Sequence, residues 1–182
     1  MFNTLLSKYA GTAAVGFGLI ATVIYVAMIS VTLAHIEAAS GQISFDMRPL
    51  GYHPNDAAAL LEALGAEGRE YYLSYQIALD TVYPAMLALT LIAMICWFGR
   101  RMPGSKLVRA GIILSVGCAV FDYLENMGIA AMIWSGPEVS VPLVYATSTA
   151  TILKSALTTL AVLLALLSGF LWVRLPKADI CP

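Results

Sequence analysis

Charged residues are scarce in this sequence. Only 12% of its 182 residues are Asp, Glu, Lys or Arg, whereas 60% are hydrophobic. Because soluble domains carry about 25% charged residues, this composition excludes a soluble protein and indicates an integral membrane protein whose main partner is the lipid bilayer. The net charge of −1 and the absence of a face rich in Lys and Arg argue against nucleic-acid binding.

Histidine and cysteine, which most often hold metals and redox centres, are equally scarce. The two histidines, His35 and His53, are not spaced with other ligand residues, so we expect no metal site and no haem. The three cysteines, Cys96, Cys118 and Cys181, form no CxxC pair, which argues against a disulfide framework or a thiol redox site. There is no glycine-rich phosphate loop either. We therefore expect no cofactor.

Long apolar runs dominate what remains. A helix needs about 20 apolar residues to cross a bilayer, and four runs reach that length, at residues 11–34, 72–98, 108–134 and 144–172. The sequence therefore predicts an all-α fold in which residues 1–182 form one integral membrane domain, a four-transmembrane-helix bundle. The first run is too long for the core of a signal peptide, so we interpret it as an uncleaved span.

The connection between the first two spans, residues 35–71, is predicted to be external and largely a loop. Within it, Asn55 is placed to cap a short helix that stops at Gly65. Leu60, Leu61 and Leu64 share one face of this helix, so we expect an amphipathic helix that lies on the membrane surface or covers the bundle.

The distribution of basic residues predicts the orientation. Seven of the ten lie before the first span, between spans two and three, or after span four: Lys8, Arg100, Arg101, Lys106, Arg109, Arg174 and Lys177. The other two links hold only Arg48 and Arg69. By the positive-inside rule, both termini and the link at residues 99–107 are cytoplasmic. We expect the protein in the inner (plasma) membrane of a bacterium.

Polar residues interrupt the third predicted span. Asp122, Glu125 and Asn126 lie within the apolar run, at intervals of three and four that place them on one helical face. A charged side chain at the centre of a spanning helix costs roughly 2.5–3.5 kcal/mol on insertion scales. We therefore expect these side chains to face the interior of the bundle, where they find partners.

The second predicted span has a similar polar face. Gln76, Asp80 and Tyr83 follow one another at intervals of four and three. Pro84 has no N–H, so the backbone carbonyl of Asp80 loses its usual hydrogen-bond donor. Two further tyrosines at the outer end of this span are assigned to an interfacial aromatic belt, Tyr71 and Tyr72.

The fourth predicted span adds one basic residue, Lys154. This lysine, Asp80, Asp122 and Glu125 all lie roughly 12 to 18 Å from the external ends of their spans, at 1.5 Å per residue. We expect one interior cluster rather than outward snorkelling of Lys154. Three carboxyls face one ammonium, so either a carboxyl stays protonated or a cation completes the site. The candidate binding residues are Asp80, Asp122, Glu125, Asn126, Lys154, Gln76 and Tyr83, and no catalytic residue is assigned.

Three functions suit such a cluster. The one favoured by the sequence is structural: the cluster fixes the bundle and its assembly with a second copy or other membrane subunits. Alternatively, it binds a proton, a cation or an amphipathic amine beneath an aromatic rim of Tyr75 and Tyr83. A third hypothesis is a membrane enzyme for a lipid-like substrate, with Asp122 or Glu125 as acid and another carboxylate as base. Whether the protein is an enzyme is left open by the sequence.

Overall fold

A computed structural model describes residues 2–175, with side chains from Tyr9 to Leu175. The side chain of Lys8, and all of Lys177 and Cys181, lie outside this part of the chain. Every regular element in the described range is helical, as predicted. The α-helices are α1 (Phe2–Ala27), α2 (Ala34–Ser40), α3 (Pro54–Tyr71), α4 (Ile77–Phe98), α5 (Lys106–Ser135) and α6 (Val141–Arg174).

Four helical stretches are long and apolar enough to cross a membrane: Tyr9–Ser40, Pro54–Arg101, Lys106–Glu138 and Val141–Arg174. The first two stretches are longer than single α-helices because π-helical turns join consecutive helices. Met28–Leu33 joins α1 to α2, and Tyr72–Gln76 joins α3 to α4. Each π turn holds an extra residue in its helix and is a feature that often marks functional sites.

Helix α4 is at the centre of the packing. It contacts α1, α5 and α6, and α5 and α6 form the most extensive helix pair. Small residues permit the closest approaches. A Cβ atom on Gly128 of α5 would lie 2.1 Å from Oγ1 of Thr147 on α6, and one on Gly111 would lie 2.7 Å from Cδ1 of Ile95 on α4. The helix axes are therefore held close beside the polar residues of α5.

Aromatic and basic side chains close one end of the molecule. Trp97 and Trp172 lie with their ring centroids 6.0 Å apart. Arg101 places its guanidinium 4.3 Å from the ring centroid of Trp172 and donates hydrogen bonds to the backbone carbonyls of Trp172 and Leu175. Because the last carbonyls of a helix lack intrahelical partners, Arg101 caps α6 and ties its end to the link between α4 and α5.

The connection between α2 and α4 covers the opposite end. Helix α3 begins at Pro54, so the prediction that Asn55 caps it is wrong: Pro54 suits the first helical turn, and the backbone N–H of His53 donates to the carboxylate of Asp56 over 2.9 Å. At Gly65, φ is +60°, and the helix axis turns there. The three leucines of the predicted apolar face, Leu60, Leu61 and Leu64, are buried in the main core.

The segment between α2 and α3 is not a solvated loop. A 3-10 turn at Phe45–Met47 inserts Phe45, which is fully buried, into the core. The ring of Phe45 lies 4.9 Å from that of Tyr52, centroid to centroid. The turn therefore reaches into the helices and delivers the neighbouring Asp46 to the interior.

Candidate functional site

An ion-pair network between α5 and α6 forms the centre of the polar interior. Nζ of Lys154 lies 3.0 Å from Oδ1 of Asp122 and also contacts Oε2 of Glu125. Oγ1 of Thr151 donates to Oε1 of Glu125 over 2.7 Å. The two carboxyls are one turn apart on α5, so a single ammonium on the facing helix reaches both. Lys154 points inward in this arrangement and does not snorkel.

Helix α5 supplies a hydrogen-bond donor to the backbone carbonyl that Pro84 leaves unpaired in α4. Nδ2 of Asn126 donates to the backbone carbonyl of Asp80 over 2.8 Å. This is the carbonyl that Pro84 deprives of its helical donor. Asn126 is 5% exposed and Asp80 is 1% exposed, so water does not replace the missing bond. The side-chain amide thus compensates for a defect in the neighbouring helix.

Replacing Asn126 with leucine is expected to reduce the free energy of unfolding by about 1–3 kcal/mol, because the carbonyl of Asp80 is then buried without a donor. The substitution Pro84→Ala returns an N–H to the helix and should recover most of this loss in the double variant. Denaturant unfolding in detergent, followed by circular dichroism, measures all three variants. Simple addition of the two single effects would show that the carbonyl is not the cause.

Asp80 shares the polar interior with a second carboxyl that comes from outside the long helices. Asp80 and Asp46 both line one cavity. Asp46 is delivered by the turn at Phe45–Met47. The hydroxyl of Tyr72 donates to Oδ2 of Asp46. The acidic interior therefore contains Asp46 in addition to the three carboxyls found in the spans.

Asp46 and Tyr72 were missed by the sequence analysis. Tyr72 is fully buried, so its assignment to an interfacial belt is wrong, because its hydroxyl finds a carboxylate inside the protein. Its position four residues before Gln76, on the same helical face, is the signal that could have placed it in the interior. For Asp46 the sequence carries no such signal, since a turn has no hydrophobic period.

Gln76 connects the two π-helical turns. Its side chain is fully buried, and its Oε1 accepts a hydrogen bond from Oγ1 of Thr32. Thr32 belongs to the π turn after α1, and Gln76 to the π turn before α4. The bond fixes these two irregular turns at one level, directly above Asp80. Gln76 thus links the helical stretch that contains α1 to the one that contains α4.

The tyrosines are arranged differently from the predicted rim. Tyr83 stacks on Tyr25, with ring centroids 5.7 Å apart and an interplanar angle of 23°. Tyr75, which was expected beside Tyr83, is 58% exposed and packs on Tyr71 instead, at 4.7 Å. Tyr75 precedes Tyr83 by eight residues, which at 3.6 residues per turn leaves the two side chains roughly 80° apart around the helix. Tyr25 therefore takes the place that was assigned to Tyr75.

A cavity of about 290 Å³ adjoins this polar interior. Asp46, Asp80, Asp122 and Lys154 form its polar wall. The rest of the lining comes from α1 and the π turn after it, from α4 and from α6, and includes Tyr25, Met28, Leu33, Tyr83, Leu87 and Thr158. The cavity therefore lies between α1 and α6, beside α4 and the turn that carries Asp46.

Tyr52, in the connection between α2 and α3, covers the site. Its backbone N–H donates to Oγ of Ser148 over 2.9 Å, and its side chain is 5% exposed. Burial, together with the negative charge of Glu125, raises the pKa of the Tyr52 phenol above its ordinary value. The phenol is therefore neutral at physiological pH and adds no charge beside Glu125 and Thr151.

Within the part of the chain that the structure describes, no group of three or more His, Cys, Asp and Glu side chains has an arrangement that could hold a metal ion. Cys118 is buried, and Oγ1 of Thr158 donates to its sulfur over 3.2 Å. The polar groups at the site are carboxyls, one ammonium, amides, phenols and hydroxyls, with the Cys118 thiol nearby.

Comparisons with known proteins do not assign this site. No protein-family model matches the chain, and no curated protein or solved structure matches it.

Proposed function

We propose that this protein is a four-span bundle of a bacterial inner membrane that binds an amphipathic amine, or another small organic cation, in the cavity between α1 and α6. The four apolar helical stretches support the topology. The basic residues at the link between α4 and α5 support cytoplasmic termini by the positive-inside rule. The first part of α3, before Gly65, is then the external amphipathic helix.

The charge of the cavity wall is the observation that carries this proposal. Four carboxyls lie in or beside the wall, on Asp46, Asp80, Asp122 and Glu125, and Lys154 is the one basic side chain among the residues that line the cavity. Lys154 already contacts Asp122 and Glu125. Since unpaired negative charge is costly in a low dielectric, the site attracts a further cation to the side where Asp46 and Asp80 lie.

The remaining lining suits the apolar part of such a ligand. A volume of about 290 Å³ is just below the range for ligand pockets, roughly 300 Å³ upward, so the cavity suits a small ligand. Tyr25 and Tyr83 offer aromatic faces that attract cations. Met28, Leu33 and Leu87 offer apolar surface. The site therefore combines an acidic end with an apolar one, which matches an amine that carries a short hydrocarbon group.

The position of the cavity favours entry from the bilayer. Tyr25 on α1 is 45% exposed, and Thr159, which lines the cavity from α6, is also exposed. Both residues lie in helical stretches that are apolar enough to cross a membrane. An amphiphile that partitions into the membrane would therefore reach the acidic wall sideways, without passing through the covering connection.

A structural role is the second candidate, and the network around Lys154 favours it. The contacts of Lys154 with Asp122 and Glu125 join α5 to α6, and they would fix the register of a bundle that assembles with a second copy or with other subunits. The same contacts disfavour the enzyme hypothesis, because they engage both Asp122 and Glu125, the two candidates for its acid. The structural role makes no use of the cavity, so ligand binding separates the two candidates.

A binding experiment tests the proposal with three matched probes. They are 4-phenylbutyl-trimethylammonium, its neutral analogue 4-phenylbutanol and its anionic analogue 4-phenylbutyrate. Of the three probes, we expect only the cation to bind saturably to the purified protein in detergent. The melting temperature of the protein should rise as the concentration of the cation increases. The substitution Asp80→Asn should weaken binding about tenfold or more, as expected for a lost charged contact.

Glu62→Gln is the matched control, because Glu62 is an exposed carboxylate on α3, away from the cavity. It should bind the cation as the unchanged protein does. Equal binding of 4-phenylbutanol, or no saturable binding of the cation, would contradict the proposed function.

A further inference from the structure

We infer that a groove between the first half of α1 and the end of α4 binds one anionic phospholipid, with the lipid phosphate at Arg100 and an acyl chain along Val15. The groove has a volume of about 470 Å³ and is open at the surface. Its lining consists of Gly11, Thr12, Val15, Trp97 and Arg100. It is separate from the cavity proposed to bind an amine, because Val15 lies roughly 15 Å along α1 from Tyr25, which lines that cavity.

The ring of Trp97 forms one wall of the groove. It lies against α1 at Gly11, where a Cβ atom would be 3.2 Å from Cε2 of Trp97. The rings of Phe98 and Trp172 pack on this indole, with centroids 5.2 Å and 6.0 Å from it. The wall is therefore fixed by its neighbours. Tryptophan at the end of a spanning helix is typical of the level of the lipid headgroups.

Arg100 is the charged group of the groove, and it is available to an anion. Its side chain is exposed, and no carboxylate in the described part of the chain forms an ion pair with it. The adjacent Arg101 is engaged instead, because it caps α6 and contacts the ring of Trp172. Of two neighbouring arginines, one closes a helix end and the other is left at the groove.

The charge of this end of the molecule selects an anion. Five basic residues lie in the link between α4 and α5, at the start of α5 or at the end of α6: Arg100, Arg101, Lys106, Arg109 and Arg174. These segments, as far as the structure describes them, contain no Asp or Glu. Basic pockets between spanning helices bind the headgroups of anionic lipids. A phosphate at Arg100 is therefore attracted by several charges.

The lining changes from polar to apolar in the direction that a phospholipid requires. Arg100 lies beyond the end of α4, whereas Val15 lies about one turn of α1 further into the molecule than Gly11. Val15 is 59% exposed and belongs to a helical stretch that is apolar enough to cross a membrane. A lipid whose phosphate contacts Arg100 would extend its acyl chain along Val15. A free phosphate would gain only the contact with Arg100.

Native mass spectrometry of the purified protein in detergent tests the inference with three probes. They are palmitoyl-oleoyl phosphatidylglycerol, the phosphatidylcholine with the same acyl chains, and glycerol phosphate, which has no acyl chain. We expect the first phosphatidylglycerol to bind about fivefold or more tightly than phosphatidylcholine, since one basic residue near an anionic lipid contributes roughly that factor. Glycerol phosphate should not be retained at the same concentration.

Two variants with matched controls locate the site. Arg100→Gln removes the charge and should weaken the binding of phosphatidylglycerol about fivefold. Arg109→Gln removes an equal charge from an exposed position outside the groove and should leave binding unchanged. Val15→Trp fills the groove without changing the charge and should also weaken binding. Leu19→Trp, one turn further along α1 and outside the groove, should not. All four substituted side chains are exposed, so the variants should melt as the unchanged protein does.

The outcomes separate a lipid site from the other sources of binding. Equal binding of phosphatidylglycerol and phosphatidylcholine would overturn the inference, because apolar contact alone would then hold the lipid. Binding of glycerol phosphate as tight as that of the lipid would assign the groove to a free phosphate. Equal losses in Arg100→Gln and Arg109→Gln, or unchanged binding in Val15→Trp, would assign the attraction to the basic end as a whole and overturn the site in the groove.

Discussion

Replacing Lys154 with methionine is expected to reduce the free energy of unfolding by about 3–5 kcal/mol. Removal of one partner from a buried ion pair leaves the other charge without compensation, and here two carboxyls, on Asp122 and Glu125, lose the same ammonium. Methionine keeps the length and packing of the side chain, so the loss reflects charge. Denaturant unfolding of the protein in detergent provides the measurement.

A neutral version of the network provides the test of this explanation. The triple variant that adds Asp122→Asn and Glu125→Gln to Lys154→Met should regain most of the lost stability, because no buried charge then remains unpaired. Lys106→Met is the matched control, since Lys106 is exposed at the start of α5, and it should unfold like the unchanged protein. If the single variant Lys154→Met unfolds with the same free energy as the unchanged protein, the ammonium does not stabilise the two carboxylates.

Replacing Gly128 with alanine is expected to cost about 1–3 kcal/mol, as overpacking in a close-packed interior does. The new Cβ would lie 2.1 Å from Oγ1 and 2.8 Å from Cβ of Thr147, so α5 and α6 have to separate. Separation at this level also lengthens the contacts between Glu125 and Thr151, one turn away. Melting temperature and unfolding in detergent both report the loss.

Two further substitutions test this explanation, one at Thr147 and one at Gly16. Thr147→Ala removes two of the three close atoms and should recover part of the stability in the double variant. Gly16→Ala places a methyl group where no atom lies within 4 Å, and it should be neutral or slightly stabilising because alanine favours the helix. Equal losses for Gly128→Ala and Gly16→Ala would argue against a steric cause.

Much of the helical architecture follows from the sequence. Apolar runs long enough to span a bilayer predict the long helices, since backbone groups in an apolar medium have to bond within the helix. The cost of a charge in such a run predicts that Asp122 and Lys154 turn inward. The missing N–H of Pro84 predicts a free carbonyl at Asp80 before any coordinates are known. Each inference depends on the local chain and on the energy of its surroundings.

Other features required the folded structure. The capping of α3 depends on a start at Pro54, with His53 before it. The stacking of Tyr25 on Tyr83 depends on how α1 is rotated against α4. The hydrophobic pattern of a single helix does not determine its rotation against a neighbour. Asn126 donates to the free carbonyl of Asp80, and this contact depends on how α5 is rotated against α4.

The sequence by itself determined the helices and the need for a shielded polar interior, because hydrophobic length and the cost of buried charge are properties of the residues along the chain. The tertiary structure alone decided that Asp46 joins Asp80 in the lining of one cavity between α1 and α6. A turn has no period, and its reach into the core depends on which helices leave space for it. The acidic wall of this cavity is therefore a property of the packing.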